Sequence, residues 1–287
     1  MPEIKPMGAN PLLKHFRQPK LYIRFPSNGK FYPDGSLEYT ENNEYPVYAM
    51  TARDEIAFKT PDALLNGQST VDVIQSCVPN IKNAWGIPSI DIDALLIAIR
   101  IASFGEKMDI TTIVPTIEES RDYSIDLREL LDEMANVEFD EEVVVGDLLV
   151  TLKPLSYKEW TTNAIRTFEE QRIFAVVNNN ELSEQEKLSQ FNKSFKILTE
   201  ITVGTILSSI VSIQVGDDVV TEFDFIKQFV ENADRDFYDA LSKHIEGQKS
   251  KFGVKNRVVV TSDEDREKGA PETFEMPMVF DQSHFFG

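Results

Sequence analysis

Residues 89–105 read SIDIDALLIAIRIASFG, and no other stretch constrains the fold as strongly. Apolar residues lie on nearly every face of the helix this segment would form, with Asp91 and Asp93 near its start and Gly105 as its stop. A helix that is apolar all round must be enclosed by other elements, so the segment predicts a buried central helix. Arg100 is its only basic group and has to reach the surface or a partner, most simply a salt bridge. A chain of 287 residues has enough material to enclose it, in one large domain or two ordinary ones.

The flanking sequence supplies short elements of both kinds. LYIRF (21–25) and YPVYAM (45–50) have strand character and are separated by PSNGKFYPDGS, with turn dipeptides Asn28-Gly29 and Asp34-Gly35. Helix starts follow in close order. Thr51 can cap a helix over 52–58, with Asp54 and Glu55 in the first turn, where the positive helix end favours carboxylates. Thr60-Pro61-Asp62 repeats the signal, with Gly67 as the stop, and Ser69 with Asp72 three residues later predicts a third helix running to Pro79. EKMDITTIVP and SRDYSIDL are strand-like around a polar loop, DLRELLDEM is helical, and EEVVVGDLLVTLKPL reads as a hairpin turned at Gly146-Asp147.

The character changes near residue 154. Ser156 with Glu159, and Ser183 with Glu186, are capping boxes that open helices over 157–178 and 184–210, which should pair antiparallel. Trp160, Ala164, Ile165 and Phe168 on the first, and Leu188, Phe191, Phe195, Leu198 and Ile201 on the second, recur at helical spacing and read as core. VSIQVGDDVV is a hairpin turned at Gly216-Asp217, followed by helices near 222–231 and 234–247. RVVVT and TFEMPMVF form a strand pair around SDEDREKGAPE, a solvated turn that lacks the ligand spacing of a calcium loop. The fold class is therefore α+β. It divides into a basic flexible tail (1–20), an α+β domain (21–154), a helical region (155–256), and a strand pair with an aromatic tail (257–287).

Charge and chemistry narrow the function. The chain has 29 Lys and Arg against 48 Asp and Glu, a net charge of -19, which disfavours nucleic-acid binding. Residues 1–33 run the other way, with Lys5, Lys14, Arg17, Lys20, Arg24 and Lys30 against Glu3 alone. Lys14, Arg17 and Lys20 are thus candidates for contact with an acidic neighbour, and Phe285 and Phe286 for contact with a groove on this chain or another. Cys77 is the only cysteine, so an internal disulfide or multi-thiolate metal site is excluded and a reducing compartment expected. No apolar run is long enough to span a bilayer, and the N-terminus lacks the apolar stretch of a secretory signal. His15, His244 and His284 lack ligand spacing, and the phosphate-loop, dinucleotide, nucleophile-elbow and zinc-protease motifs are missing. No catalytic, cofactor or metal residue is assigned. A hydrolase would need two carboxylates in one cleft; Glu141 with Glu142, and Glu169 with Glu170, are the available pairs, but sequence neighbours diverge.

The order PSNGKFYP (26–33), YAMTARDEIAFKTPDALLNG (48–67), a Val-Ile-Gln-Ser-Cys helix, SIDIDALLIAIRIASFGEKMDI (89–110) and DLRELLD (126–132) resembles the base plate protein family of T4-type contractile-tailed phages. The resemblance is close over 22 to about 135 and general beyond 150. It implies a non-enzymatic component or assembly factor of the baseplate hub. Its partners would be other hub proteins, and it would be built in the host cytoplasm and located in the virion tail. A transient chaperone absent from the finished particle is the alternative within the same family. Some relatives carry CxxC pairs suited to a zinc ribbon; the matching stretches here, IVPTIEE and VTSDEDRE, contain no cysteine, so any such hairpins must be held without metal.

Overall fold

The computed structural model describes residues 16–58, 67–177 and 183–278, and its architecture is α+β. Helix α3 (Ile92–Phe104) is the central buried helix: Leu95, Ile97, Ala98 and Ile99 are at most 1% exposed. Each leucine or isoleucine side chain so withdrawn from water contributes about 1.5–3 kcal/mol. The helix ends where Gly105 takes a φ of 94° and donates its N–H to the Ile101 carbonyl. The Arg100 guanidinium lies 4.6 Å from the centre of the Phe104 ring.

Strands β1 (Pro19–Ile23) and β2 (Tyr45–Tyr48) pair antiparallel with Ile23 opposite Tyr45, and both pack on α3. Helix α1 (Ala52–Phe58) starts as its sequence predicts. Thr51 donates its N–H and hydroxyl to Asp54 Oδ2 at 2.7 and 2.8 Å, and Asp54 N–H returns to the Thr51 hydroxyl. Thr60 and Asp62 lie outside the described residues.

Helix α2 (Gln68–Cys77) starts differently from the predicted Ser69–Asp72 cap. Its N-cap is Gly67 at φ 76°, with no side-chain capping bond. The Ser69 hydroxyl instead donates to the Ala57 carbonyl at 2.9 Å, and Asp72 accepts from Gln68 Nε2 at 2.7 Å. Packing of α2 against α1 takes Ser69 out of the capping position, and a left-handed glycine makes the entry turn.

Strands β3 (Lys107–Ile113) and β4 (Ser120–Asp126) form a hairpin leading into α4 (Leu127–Ala135), where Asp126 accepts from the Arg128 N–H. The C-terminal pair, β9 (Arg257–Val260) with β10 (Thr273–Met276), returns to this region. Phe274 meets Tyr123 edge-on at 5.7 Å, and Val259, Met276 and Met278 join the core around α3. The acidic loop between β9 and β10 is not a solvated turn. It holds a short helix α9 (Asp263–Glu267), in which Asp265 is 1% exposed and accepts from Arg121 Nη2 at 2.6 Å and from the Ser262 hydroxyl at 2.8 Å.

Strands β5 (Glu142–Val145) and β6 (Leu148–Leu152) turn at Gly146. They join β7 (Ile210–Val215) and β8 (Asp218–Val220) in one antiparallel sheet of order β5-β6-β7-β8, with Val150 opposite Ile213. Residue 154 thus marks a change of local structure and not a break in hydrogen bonding. Between β6 and β7 run α5 (Tyr157–Val177) and α6 (Glu184–Ser209). Both capping boxes are present: Ser156 donates to Glu159 Oε2 at 2.7 Å, and Ser183 to Glu186 Oε2 at 2.6 Å. Asn163, near the start of α5, bonds Thr205, near the end of α6, so the two helices run antiparallel. Helices α7 (Phe223–Asn232) and α8 (Arg235–Phe252) complete a second core of Val150, Leu152, Ile206, Ile226, Val230, Phe237 and Leu241.

Candidate functional site

Three places bring candidate residues together. The first is the end of the basic arm. Lys14 lies outside the described residues, and Lys20 is exposed on β1. Arg17 is turned inward. Its Nη1 donates to the Ala49 carbonyl at 2.6 Å, its Nη2 donates to the Ser76 carbonyl and to the Ser76 hydroxyl, and its nearest contact with Asp54 Oδ2 is 3.6 Å. Asp54 Oδ2 also accepts from the Ser76 hydroxyl at 2.9 Å. The Asp54 carboxylate is thereby shared among a helix cap, a hydroxyl and a guanidinium, and the node ties the arm to α1 and α2. Cys77 borders it, buried, and burial followed by the Asp54 charge pushes its thiol up to about 12. A thiol in that state is not a nucleophile near neutral pH.

The second place is Asp91, which the sequence marks only as an acid near a helix start. Its carboxylate is fully buried and clasps the PSNGKFYP loop. Ser27 donates its N–H to Oδ1 at 2.7 Å and its hydroxyl to Oδ2 at 2.5 Å, and the Tyr32 hydroxyl donates to Oδ2 at 3.0 Å. The loop adopts left-handed backbone at Asn28, Gly29 and Phe31, and Phe25 stacks on Tyr45 with ring centres 4.2 Å apart. Burial pushes the Asp91 carboxyl up to about 7, against the opposing pull of the Ser27 and Tyr32 hydrogen bonds. Its oxygens face these donors inside the packed interior, so the arrangement holds a loop and presents no reacting group to a substrate. The signal that could have located it is an aspartate inside an otherwise apolar segment, which requires buried donors.

The third place is the surface of the helical region, where the structure corrects the sequence reading. The stripes on α5 and α6 are not core. Trp160 is 43% exposed, Phe168 56%, Leu188 61% and Phe195 61%, and of the nine stripe residues only Ile201 is buried. Helix α6 has 26 residues, about 39 Å of helix at 1.5 Å per residue, and the second core contacts it only near its C-terminal end. Its seam with α5 is partly polar, with Glu170 and Ser194 buried. On the neighbouring α7, Phe223 is 60% and Phe225 62% exposed, flanked in the chain by Glu222 and Asp224. Apolar side chains in this concentration mark contact surfaces.

Between the two cores lies a cleft of about 650 Å³. Ile92, Leu152, Phe139 and Phe252 form apolar walls, Trp160 and Phe168 stand at α5, and Asp93, Lys153 and Lys249 add charge. Desolvation holds the Asp93 carboxyl above the usual range. The carboxylate pairs considered from the sequence do not line this cleft: Glu141 pairs with Lys30 at 2.9 Å, Glu142 and Glu169 are exposed, and Glu170 is buried beside α6. No group of three or more His, Cys, Asp or Glu with metal-site geometry occurs among the described residues, and none of their helices is long and apolar enough to cross a membrane. Phe285 and Phe286 lie outside the described residues.

The model of the family described as T4 bacteriophage base plate protein matches residues 40–264, most of the chain. No curated protein and no solved structure matches it.

Proposed function

Because this chain belongs to the T4 bacteriophage base plate protein family, we propose that it serves the baseplate as a non-enzymatic structural or assembly protein of the central hub, working through contacts with other hub proteins. The observation that carries this reading is the exposed aromatic surface of α5, α6 and α7. Phe195 and Phe225 are each more than 60% exposed, and Phe225 follows Asp224 and Glu222 in the chain, acids that would complement a partner with basic groups. The Arg17–Asp54 node and the Asp91 clasp support it, because their polar groups are engaged in holding the fold. Of the two described basic residues of the arm, Arg17 and Lys20, it is Lys20 that is presented outward for contact.

The test replaces Phe223 and Phe225 with Asp in the phage and analyses purified tails by mass spectrometry. The unaltered chain should co-purify beside hub subunits, and the double variant should fail to join them while unfolding at the same temperature. A chain needed for tails but absent from finished ones would act as an assembly factor. Lysis of cell wall by the purified protein, or normal tails from the double variant, would overturn the proposal.

A further inference from the structure

We propose that the cleft between the two cores receives a single arginine or lysine side chain of a neighbouring protein, its cationic head on the Asp93 carboxylate and its stem among the aromatic rings of the walls. Such a contact rests on the reading of the chain as one that works through protein partners, and it names the chemistry of the group that enters. Asp93 sits in the first turn of α3 between the buried Ile92 and Ala94, and it lines the cleft. Its carboxylate has neither a hydrogen-bond donor nor an ion-pair partner among the described residues. Asp91, two residues earlier, is buried with three donors, the Ser27 N–H and the Ser27 and Tyr32 hydroxyls. Burial is the one cause acting on the Asp93 carboxyl, so Lys153 and Lys249, which line the same cleft, stand too far off to draw it down. An acid withdrawn from water with no partner has lost hydration without compensation, and an arriving cation restores it.

The walls suit the same occupant. Phe139 and Phe252 line the cleft with ring centres 6.2 Å apart, and Trp160 and Phe168 stand at α5. The negative faces of aromatic rings attract a cation, and their area covers the alkyl stem that carries it. Rings together with one unpaired acid therefore select an organic cation over a wholly apolar side chain, which would leave the carboxylate dry and unpaired. The volume, about 650 Å³, is in the range that encloses a side chain with its flanking residues. Lys153 and Lys249 are exposed and limit those neighbours, because a second cation beside the first would meet them whereas an acid would pair with them. The net charge of -19 draws a basic partner towards the chain. The apolar walls favour a protein segment over a free polyamine, which has no apolar side group to bury.

The experiment uses the full chain and two peptides, acetyl-Leu-Arg-Phe-amide and the same peptide with citrulline, the neutral isostere of arginine. Trp160, 43% exposed at the cleft, reports entry through its emission, and calorimetry gives the affinity. The arginine peptide should bind about ten-fold more tightly than the citrulline peptide, and Asp93→Asn should erase that preference while leaving the citrulline affinity unchanged. The variant should unfold at the same temperature or higher, since the acid it removes has no partner to lose. Ala164→Phe, which fills the cleft from α5, should weaken both peptides. No binding, equal affinities, or a preference that survives Asp93→Asn would overturn the proposal. So would displacement of the arginine peptide by an equal concentration of spermidine, which assigns the cleft to a free amine, or a dimer that the peptide separates, which places the occupant in a second copy. In the phage, Asp93→Asn should lower the amount of chain joined to hub subunits, and a normal amount would overturn the contact while leaving the hub reading in place. Normal tails from the Phe223 and Phe225 double variant overturn the hub reading and leave the peptide preference standing, so the two fail separately.

Discussion

Replacing Asp91 with Asn tests the clasp on the PSNGKFYP loop directly. In the unfolded chain the carboxyl has its ordinary value near 3.8, whereas in the folded protein burial pushes it up to about 7. The native state then binds a proton that the unfolded state has released, so stability falls as pH rises from 3.8 to about 7 and levels off above. Each pH unit in that window costs about 1.4 kcal/mol, giving a loss of about 4 kcal/mol across it. The amide cannot ionise, yet it preserves the contacts. Its oxygen accepts the Ser27 N–H at the Oδ1 position, and its nitrogen donates to the Ser27 and Tyr32 hydroxyls, which turn to accept. Urea unfolding at pH 5, 6, 7 and 8 should therefore show the Asn variant gaining on the unaltered chain with each unit up to about 7. Parallel pH profiles for the two proteins would refute the reasoning, because they would mean that the buried carboxyl does not hold its proton in this range.

Three further outcomes follow from packing and charge. Gly67→Ala should lower stability by about 2–3 kcal/mol, since it combines a left-handed φ of 76° with a new Cβ only 3.1 Å from Thr161 Cγ2 and 3.3 Å from Trp85 Cη2; an unchanged thermal midpoint would contradict it. Leu95→Ala, at a fully buried position of α3, should cost about 2–5 kcal/mol in chemical denaturation, whereas Phe195→Ala should stay within about 0.5 kcal/mol; similar losses would return the α6 stripe to the core. Hydrogen bonds from Arg121 and then Ser262 hold the Asp265 carboxyl below its usual range, so its contribution is present above 3.8 and lost as pH falls through the lower folded value. Asp265→Asn should lower the thermal midpoint near neutral pH and flatten the melting profile between pH 2 and 5, and an unaltered acid limb would refute the assignment.

What the sequence made legible was local. The capping boxes at Ser156 and Ser183, and the reciprocal bonds of Thr51 with Asp54, lie within one helical turn and form whatever the rest of the chain does. The burial of α3 was also legible, because a segment apolar on every face has no solvent-facing alternative. Ser69 failed as a cap because a non-local contact, its bond to the Ala57 carbonyl, competes for the same hydroxyl. The union of β5–β6 with β7–β8 spans the whole helical hairpin, and pairing over that separation leaves no mark in either strand. The partners of Asp91 and Arg17 were not legible for the same reason, since they lie 64 and 59 residues away. The family resemblance, by contrast, drew on the order of segments, and the family match extends well beyond the stretch where that resemblance was close.

The misreading of the α6 stripe follows from what periodicity measures. Recurrence at helical spacing shows that one face of a helix is apolar, but it does not say which molecule covers that face. In a chain acting alone, the two answers coincide and the stripe is core. Here they separate, because α6 outruns the core that could enclose it and leaves Leu188 and Phe195 in solvent. A net charge of -19 raises the cost of bringing two copies of the same surface together, which works against self-association through these residues. It also favours encounter with a partner that carries basic groups around an apolar centre, and makes that encounter weaken as salt rises. Exposed aromatics with mutual charge repulsion thus form a consistent pair of properties for a protein whose core is completed elsewhere in an assembly.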